Sequence, residues 1–345
     1  MTRKILIVGA SFGAQDAVSG IMTDLAAYAP ENTELYFCGF NKEKPVNEHN
    51  IYLPIPNFKS ELKRKICTAL QIDTCVQNSG IILSYLQKYE HLKFDLVIAL
   101  GGVFGFIEAA YKFARKNNIP LKIVYFDPFS NNLFAKNPQK RRALEKRWLN
   151  YADNLYFNAD NTCPDYLKTY PKVKPFYIPL FLRPVHPCIP NNTLIYGGTF
   201  YRRIRKPELL YNFANSVANK GFKIQCYSTL KKYPENTEIE FYPIISRADF
   251  EKRCRLAQAL IYIGNSAGGD SQSSKYLEYI ALHKPVIGVN VEADNEVRKY
   301  KYYLDEKDPQ LPQKLNAIKQ TDLAAYNPFD DFPHRAPQTL ADMLF

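Results

Sequence analysis

Asp270-Ser-Gln-Ser-Ser-Lys-Tyr-Leu-Glu-Tyr-Ile-Ala-Leu-His-Lys-Pro-Val-Ile-Gly-Val289 joins a polar loop, a short helix carrying Glu278 and an apolar strand opened by Pro285. Ser273 or Ser274 reads as an N-cap, so the helix that follows would present free backbone N–H groups to an incoming anion. Glu278 lies one turn further along, with a carboxylate free for hydroxyl groups. The pair suits a nucleoside diphosphate with its ribose. His283 stands where the helix ends, in a position that favours a left-handed backbone. Loop, helix and strand in this order describe a ligand site in an α/β unit.

Outward from this stretch, the apolar runs are short, β-rich and separated by helical segments. Up to residue 180 they are Ile5–Val8, Leu35–Phe40, Leu96–Leu100, Leu121–Phe126, Asn154–Phe157 and Phe176–Leu180. A second series runs Leu194–Tyr196, Ile224–Tyr227, Ile239–Tyr242, Leu260–Ile263 and Val286–Val289. Such alternation predicts parallel strands with crossover helices, here in two stacked α/β units. Between the two series, Pro179-Leu-Phe-Leu-Arg-Pro-Val-His-Pro-Cys-Ile-Pro190 breaks regular structure with four prolines and suits a linker. The expected division is residues 1–185, residues 190–320 and a tail over 321–345 that ends in a short helix.

Ser273, Lys275, Glu278, Tyr279, Ala281, Lys284, Pro285, Val286 and Ile287 follow the pattern S-x-K-x-x-E-Y-x-A-x-G-K-P-V-I. Over residues 194–290 the chain thereby resembles GT-B glycosyltransferases of the family-4 type, the glycosyl transferases of group 1. The resemblance implies two tandem Rossmann-like doubly wound domains with an interdomain cleft. Residues 1–185 would bind the acceptor and residues 190–320 the nucleotide sugar, while the tail crosses back to the first domain. It implies a hexosyltransferase-type enzyme that moves sugar from a UDP- or GDP-sugar to a glycan or lipid-linked acceptor, with retention, in surface polysaccharide biosynthesis. Glu278 then contacts the ribose, and Ser273, Ser274 and Lys275 share the donor site. Asp270, eight positions before Glu278, would contact the transferred sugar, although the family more often has Glu there; a plain loop Asp beside Gly268-Gly269 is the alternative. The nucleotide sugar is a substrate, so neither a metal nor a cofactor is expected.

Tyr196-Gly-Gly-Thr-Phe-Tyr-Arg-Arg-Ile-Arg-Lys-Pro-Glu208 follows the first strand of the second unit. Gly197 and Gly198 allow a ligand close to the backbone, and Arg203, Arg205 and Lys206 are the favoured partners of a diphosphate at the mouth of a helix that Pro207 starts. A solvated basic turn is the alternative. In the first unit, Gly9-Ala-Ser-Phe-Gly13 and Gly101-Gly102 each follow a strand. The resemblance puts Gly9, Gly13 and Gly102 on the acceptor side, and tight turns in a parallel sheet explain them equally well. Where the family carries a His near the donor sugar this chain has Phe126, followed by Asp127, which is either a sugar contact or a turn residue before Pro128. With no general base in evidence, the resemblance to retaining enzymes implies a same-face displacement in which the leaving phosphate itself helps take the acceptor proton, and the protein would supply position and charge.

The length of 345 residues and the 46% hydrophobic content allow two domains with cores of their own. The seven cysteines are scattered, with no Cys-x-x-Cys pair, which argues against a disulfide framework or a zinc site. No apolar run reaches the roughly 18 residues of a membrane span, and the start of the chain lacks an export signal, so the expected location is cytoplasmic. The net charge of +11 fits an anionic partner. Phe58–Ile66 and Lys136–Leu149 concentrate basic residues in the first unit. They suit an anionic membrane on the inner face that presents a lipid-linked acceptor, or else a solvated face. No nucleic-acid-binding module accompanies the charge. A nucleotide-sugar epimerase of the same fold is the alternative activity. An NAD-dependent oxidoreductase would need the G-x-G-x-x-G spacing that Gly9 to Gly13 lack.

Overall fold

The computed structural model describes residues 2–11, 17–41, 50–54, 76, 78–101, 104–126, 138–159, 172–185, 189–200, 205–229, 238–265 and 275–345. The chain separates into two compact units, Met1–Ile178 with Pro337–Phe345, and Pro179–Ala336. The first contains β1 (Arg3–Val8), α1 (Ala17–Ala26), β2 (Thr33–Asn41), β3 (Asn50–Pro54), α2 (Ser79–Gln87), β4 (Leu96–Gly101), α3 (Phe104–Asn117), β5 (Leu121–Tyr125), α4 (Pro138–Tyr151), β6 (Asn154–Asn158) and β7 (Val173–Phe176). The second contains β8 (Thr193–Gly197), α5 (Pro207–Val217), β9 (Lys223–Tyr227), β10 (Ile239–Tyr242), α6 (Arg247–Leu256), β11 (Ala259–Ile263), α7 (Lys275–Ala281), β12 (Val286–Val289), β13 (Tyr303–Asp305), α8 (Leu311–Ala317) and α9 (Gln320–Ala325). A last helix, α10 (Pro337–Leu344), belongs to the first unit.

Among the described residues the first sheet runs β3-β2-β1-β4-β5-β6-β7 and the second β10-β9-β8-β11-β12-β13. Every pairing is parallel; in the first sheet Ile5 sits opposite Leu35 on one side and Leu96 on the other. Ile5 to Val8 and Val97 to Leu100 are completely buried, as expected of strands covered by helices on both faces. In each sheet the strand order reverses beside the first strand, between β1 and β4 and between β8 and β11. Doubly wound sheets of this kind bind ligands outside the carboxyl ends of the strands at that reversal.

Two strands escape the sequence pattern. β13 has only three residues, too few to show an alternation, and β3, Asn50-Ile-Tyr-Leu-Pro54, ends on a proline that masks it as a strand. The run Phe176–Leu180 is corrected: the strand is Val173–Phe176, and residues 177–180 have no regular structure. Ile178 and Leu180 are nevertheless buried. Pro179 has no N–H to give a ladder, so this apolar segment packs as irregular chain, with the Leu180 N–H donating to the Arg335 carbonyl at 2.9 Å.

Helix α4 is held against α3 by one buried carboxylate. Glu108 accepts from the Trp148 indole at 2.6 Å and from Arg147 at 2.5 Å, and pairs with Lys112 at 3.0 Å. Trp148 is fully buried, so the seam joins apolar burial to a satisfied charge. Arg141 is also buried, and so is Glu145. This revises the basic face of the helix: Arg141 turns inward, Lys140, Arg142 and Lys146 are exposed, and Arg147, 44% exposed, is paired with Glu108. The other basic stretch, Phe58–Ile66, lies outside the described residues. At the end of the chain, α10 packs beside α1. The Met343 carbonyl accepts from Lys122 at 3.0 Å and from the Tyr156 hydroxyl at 2.7 Å, and Arg3 donates to the Phe345 carbonyl. No helix among the described residues is long and apolar enough to cross a membrane.

Candidate functional site

The second sheet ends β8 on Gly197-Gly198, and the backbone there has no room for a side chain. A Cβ at Gly197 would lie 2.1 Å from the Phe250 ring, and one at Gly198 would lie 3.0 Å from the Tyr196 hydroxyl and 3.9 Å from Arg205 Nη1. Gly198 is fastened by its N–H to the Tyr227 carbonyl at 3.0 Å. The glycines therefore let the end of the strand come close to its neighbours.

Arg205 is 7% exposed. Its Nη2 donates to Asn265 Oδ1 at 2.9 Å, a bond that spans the reversal point because Asn265 follows β11. Its Nε has no hydrogen-bond partner among the described residues. Arg205 is thus a fixed, buried cation rather than one of several charges waving in a solvated turn. Lys206 is exposed and caps α5 in an extended conformation, with Pro207 in the first turn. Arg203 lies outside the described residues. Asn265 carries no sequence signal beyond its place just past an apolar strand and Gly264; only the crossover brings it to Arg205.

Helix α7 begins at Lys275 and puts its residues to two uses. Tyr276, Leu277, Tyr279 and Ile280 are buried, while Lys275 and Glu278 stay partly exposed. Tyr279 ties the helix to β8, since its hydroxyl donates to the Gly197 carbonyl at 3.2 Å and lies 3.3 Å from the Gly197 N–H. Burial pushes the Tyr279 phenol well above its ordinary value, so it stays a neutral hydrogen-bonding group. Through Tyr279 the structure brings the glycine pair and Arg205 together with the helix of Lys275 and Glu278.

The Glu278 carboxylate is not free, as the spacing alone had it. It accepts from Lys275 Nζ at 3.0 Å, with both side chains 41% exposed. An exposed pair one turn apart is weak, a fraction of a kcal/mol, so a ligand can replace either partner at small cost. His283 takes the left-handed backbone expected at this helix end, with φ at +52°. Lys284 is buried and donates to the Ala257 carbonyl at 2.9 Å, so it anchors the turn and does not reach solvent. Ser273, Ser274 and Asp270 lie outside the described residues.

In the first unit, Gly9 has φ at +111°, and a Cβ there would lie 2.9 Å from the Leu100 carbonyl. Its N–H donates to the Cys38 carbonyl at 2.8 Å. Both backbone angle and packing demand glycine at this reversal point, whatever binds nearby. Gly13, Gly102 and Asp127 lie outside the described residues. Of the cysteines, Cys38, Cys226 and Cys254 are buried free thiols, and burial raises all three, Cys226 to about 12. They are unreactive packing residues.

No protein-family model matches the chain, and no curated protein matches its sequence. Solved structures match it nearly end to end. The structure of TarM is similar with a TM-score of 0.58 at 9% identity, over 99% of this chain and 95% of that one. An alpha-glucosyltransferase in complex with UDP and a 13-mer DNA containing a HMU base gives 0.57 at 11% identity, over 100% and 96%. UDP-GlcNAc 2-epimerase from Neisseria meningitidis, bound to UDP-GlcNAc, gives 0.53 at 11% identity, over 99% and 98%. The likeness is one of fold: two Rossmann-like units, each with a parallel sheet reversed beside its first strand, give this chain the GT-B fold.

Proposed function

We propose that the protein is a glycosyltransferase that binds a UDP- or GDP-sugar on its second unit and transfers the sugar, with retention, to a glycan or lipid-linked acceptor of a surface polysaccharide. Arg205 carries the reading. A buried guanidinium with no carboxylate paired to it among the described residues, at the reversal point of a doubly wound sheet, is stable when an anion completes it. The diphosphate of the donor is such an anion. Lys275 and Glu278, on the helix tied to the same strand end, then meet the remaining phosphate charge and the ribose hydroxyls. Asp270, Ser273, Ser274 and Arg203 complete the donor site, and Asp127 with Gly9, Gly13 and Gly102 serve the acceptor side.

Glu278→Gln tests the ribose contact. A hydrogen bond to a charged group contributes about 1.5–3 kcal/mol, so calorimetry should show UDP or GDP binding weakened by at least about tenfold with an unchanged melting temperature. Unchanged affinity would remove Glu278 from the site.

The exposed Lys140, Arg142 and Lys146 are proposed to meet an anionic membrane. Near such a surface each contributes on the order of 1 kcal/mol, and salt screens the attraction. The protein should sediment with acidic vesicles at low ionic strength and lose that on reversal of these three charges. Equal sedimentation with acidic and neutral vesicles, or none with either, would strike the membrane from the partners.

A further inference from the structure

The described part of helix α7 is seven residues long, and what holds its direction is its contacts with the rest of the unit. Among the described residues, three polar contacts hold it from outside, beside the edge-to-face packing of Tyr276 on Tyr262. Near its start, the fully buried Tyr276 donates from its hydroxyl to Glu296 Oε2 at 2.9 Å. The same Glu296 oxygen accepts from the Nη2 of Arg335, which is completely buried, and Arg335 Nε reaches it at 3.2 Å. The Arg335 guanidinium lies 5.8 Å from the centre of the Tyr276 ring, and the other Glu296 oxygen faces His334 Nε2 at 2.8 Å. In the middle stands the Tyr279 bond to Gly197. At the end, the Ala281 carbonyl accepts from the Arg183 N–H at 2.9 Å.

Burial favours the protonated form of Glu296, and the Arg335 hydrogen bond and charge, with Tyr276 and His334, outweigh it and hold the carboxyl below its ordinary value. Glu296 therefore stays ionised as a strong acceptor. Tyr276 lies one residue after Lys275 and two before Glu278 on the same short helix, so a shift of the backbone at Tyr276 is carried to both. Tyr276 and Arg335 are buried, so neither touches solvent in the way a ligand contact would, while the His334 side chain is 35% exposed.

We infer that Tyr276, Glu296 and Arg335 form a positioning network for the donor: the carboxylate of Glu296 holds Tyr276, and Tyr276 aims Lys275 and Glu278. The inference rests on the reading of Lys275 and Glu278 as donor contacts. Because the network acts by orientation, its loss weakens donor binding and leaves the chemical step at saturation alone.

Tyr276→Phe deletes one hydroxyl and keeps the ring, so the fold survives. In the protein without nucleotide, amide hydrogen exchange over residues 276–283 should quicken about tenfold, with β8 and β11 unchanged. Calorimetry with UDP and GDP should show affinity for whichever nucleotide binds reduced about fivefold, while kcat at saturating donor changes less than twofold. In a Glu278→Gln background the same substitution should cost less than twofold, because the side chain it aims has lost its partner. Glu296→Gln, which keeps an acceptor oxygen for Tyr276, should weaken donor binding less than Glu296→Ala. Unaltered exchange over 276–283, or full additivity with Glu278→Gln, overturns the network. A wild-type protein that binds neither UDP nor GDP instead overturns the donor reading, and the network's role falls with it.

Discussion

Arg335→Ala is expected to destabilise the second unit by about 3 kcal/mol, the low end of the cost of breaking a buried ion pair. Arg335 is completely buried, and its removal leaves Glu296 half-desolvated in a space cut for a guanidinium. The low end applies because Tyr276 and His334 still face the carboxylate. For a unit of this size such a loss lowers the melting temperature by roughly 6–12 °C. Urea unfolding followed by tyrosine fluorescence would measure it, and a midpoint within error of the wild type would contradict the pair's structural role. The pH dependence has a definite sign. Glu296 titrates below its ordinary value when folded, so its contribution is complete above the unfolded carboxyl range and is lost as pH falls through the folded value. Arg335→Ala should flatten that part of the acid limb.

Arg205→Ala is expected to have the larger effect on activity, a fall of about 10²–10³ in kcat with a UDP- or GDP-sugar. Negative charge grows on the leaving diphosphate as the glycosidic bond breaks, and a prepositioned guanidinium stabilises it more than it stabilises the bound donor. Arg205→Lys should recover part of the rate, since it keeps the charge but loses the planar fork that holds Asn265. The control is stability. Arg205 Nε is buried without a hydrogen-bond partner among the described residues, so taking the cation away should leave the melting temperature unchanged or raise it. Normal turnover, or a collapse in stability with no specific loss of rate, would make Arg205 a structural residue.

The basic loop shows how far the chain could be read by itself. Gly197-Gly198 followed by Arg and Lys pointed to an anion, yet Arg205 and Lys206, adjacent in sequence, differ completely in surroundings: one is buried on Asn265 and the other caps a helix in solvent. The basic helix teaches the same lesson. Its five cations are equivalent on paper, and the position of Glu108 on α3 turns Arg147 to the seam while Arg141 is buried.

The sequence by itself determined the two α/β units, most of the strands, the left-handed turn at His283 and the helix that carries Lys275 and Glu278. These are local properties: apolar period, helix length and the residues that stop them act within a few positions of the chain. Only the tertiary structure decided that Arg205 meets Asn265, that Tyr279 meets Gly197, and that Arg335 and Glu296 stand behind Tyr276. Those partners lie 60, 82 and, for Arg335 with Glu296, 39 residues apart. Crossovers between parallel strands bring the first two pairs together, single helical turns in the second unit bring the third, and burial then forces each polar group to find its partner there, so their roles exist only once the unit is folded.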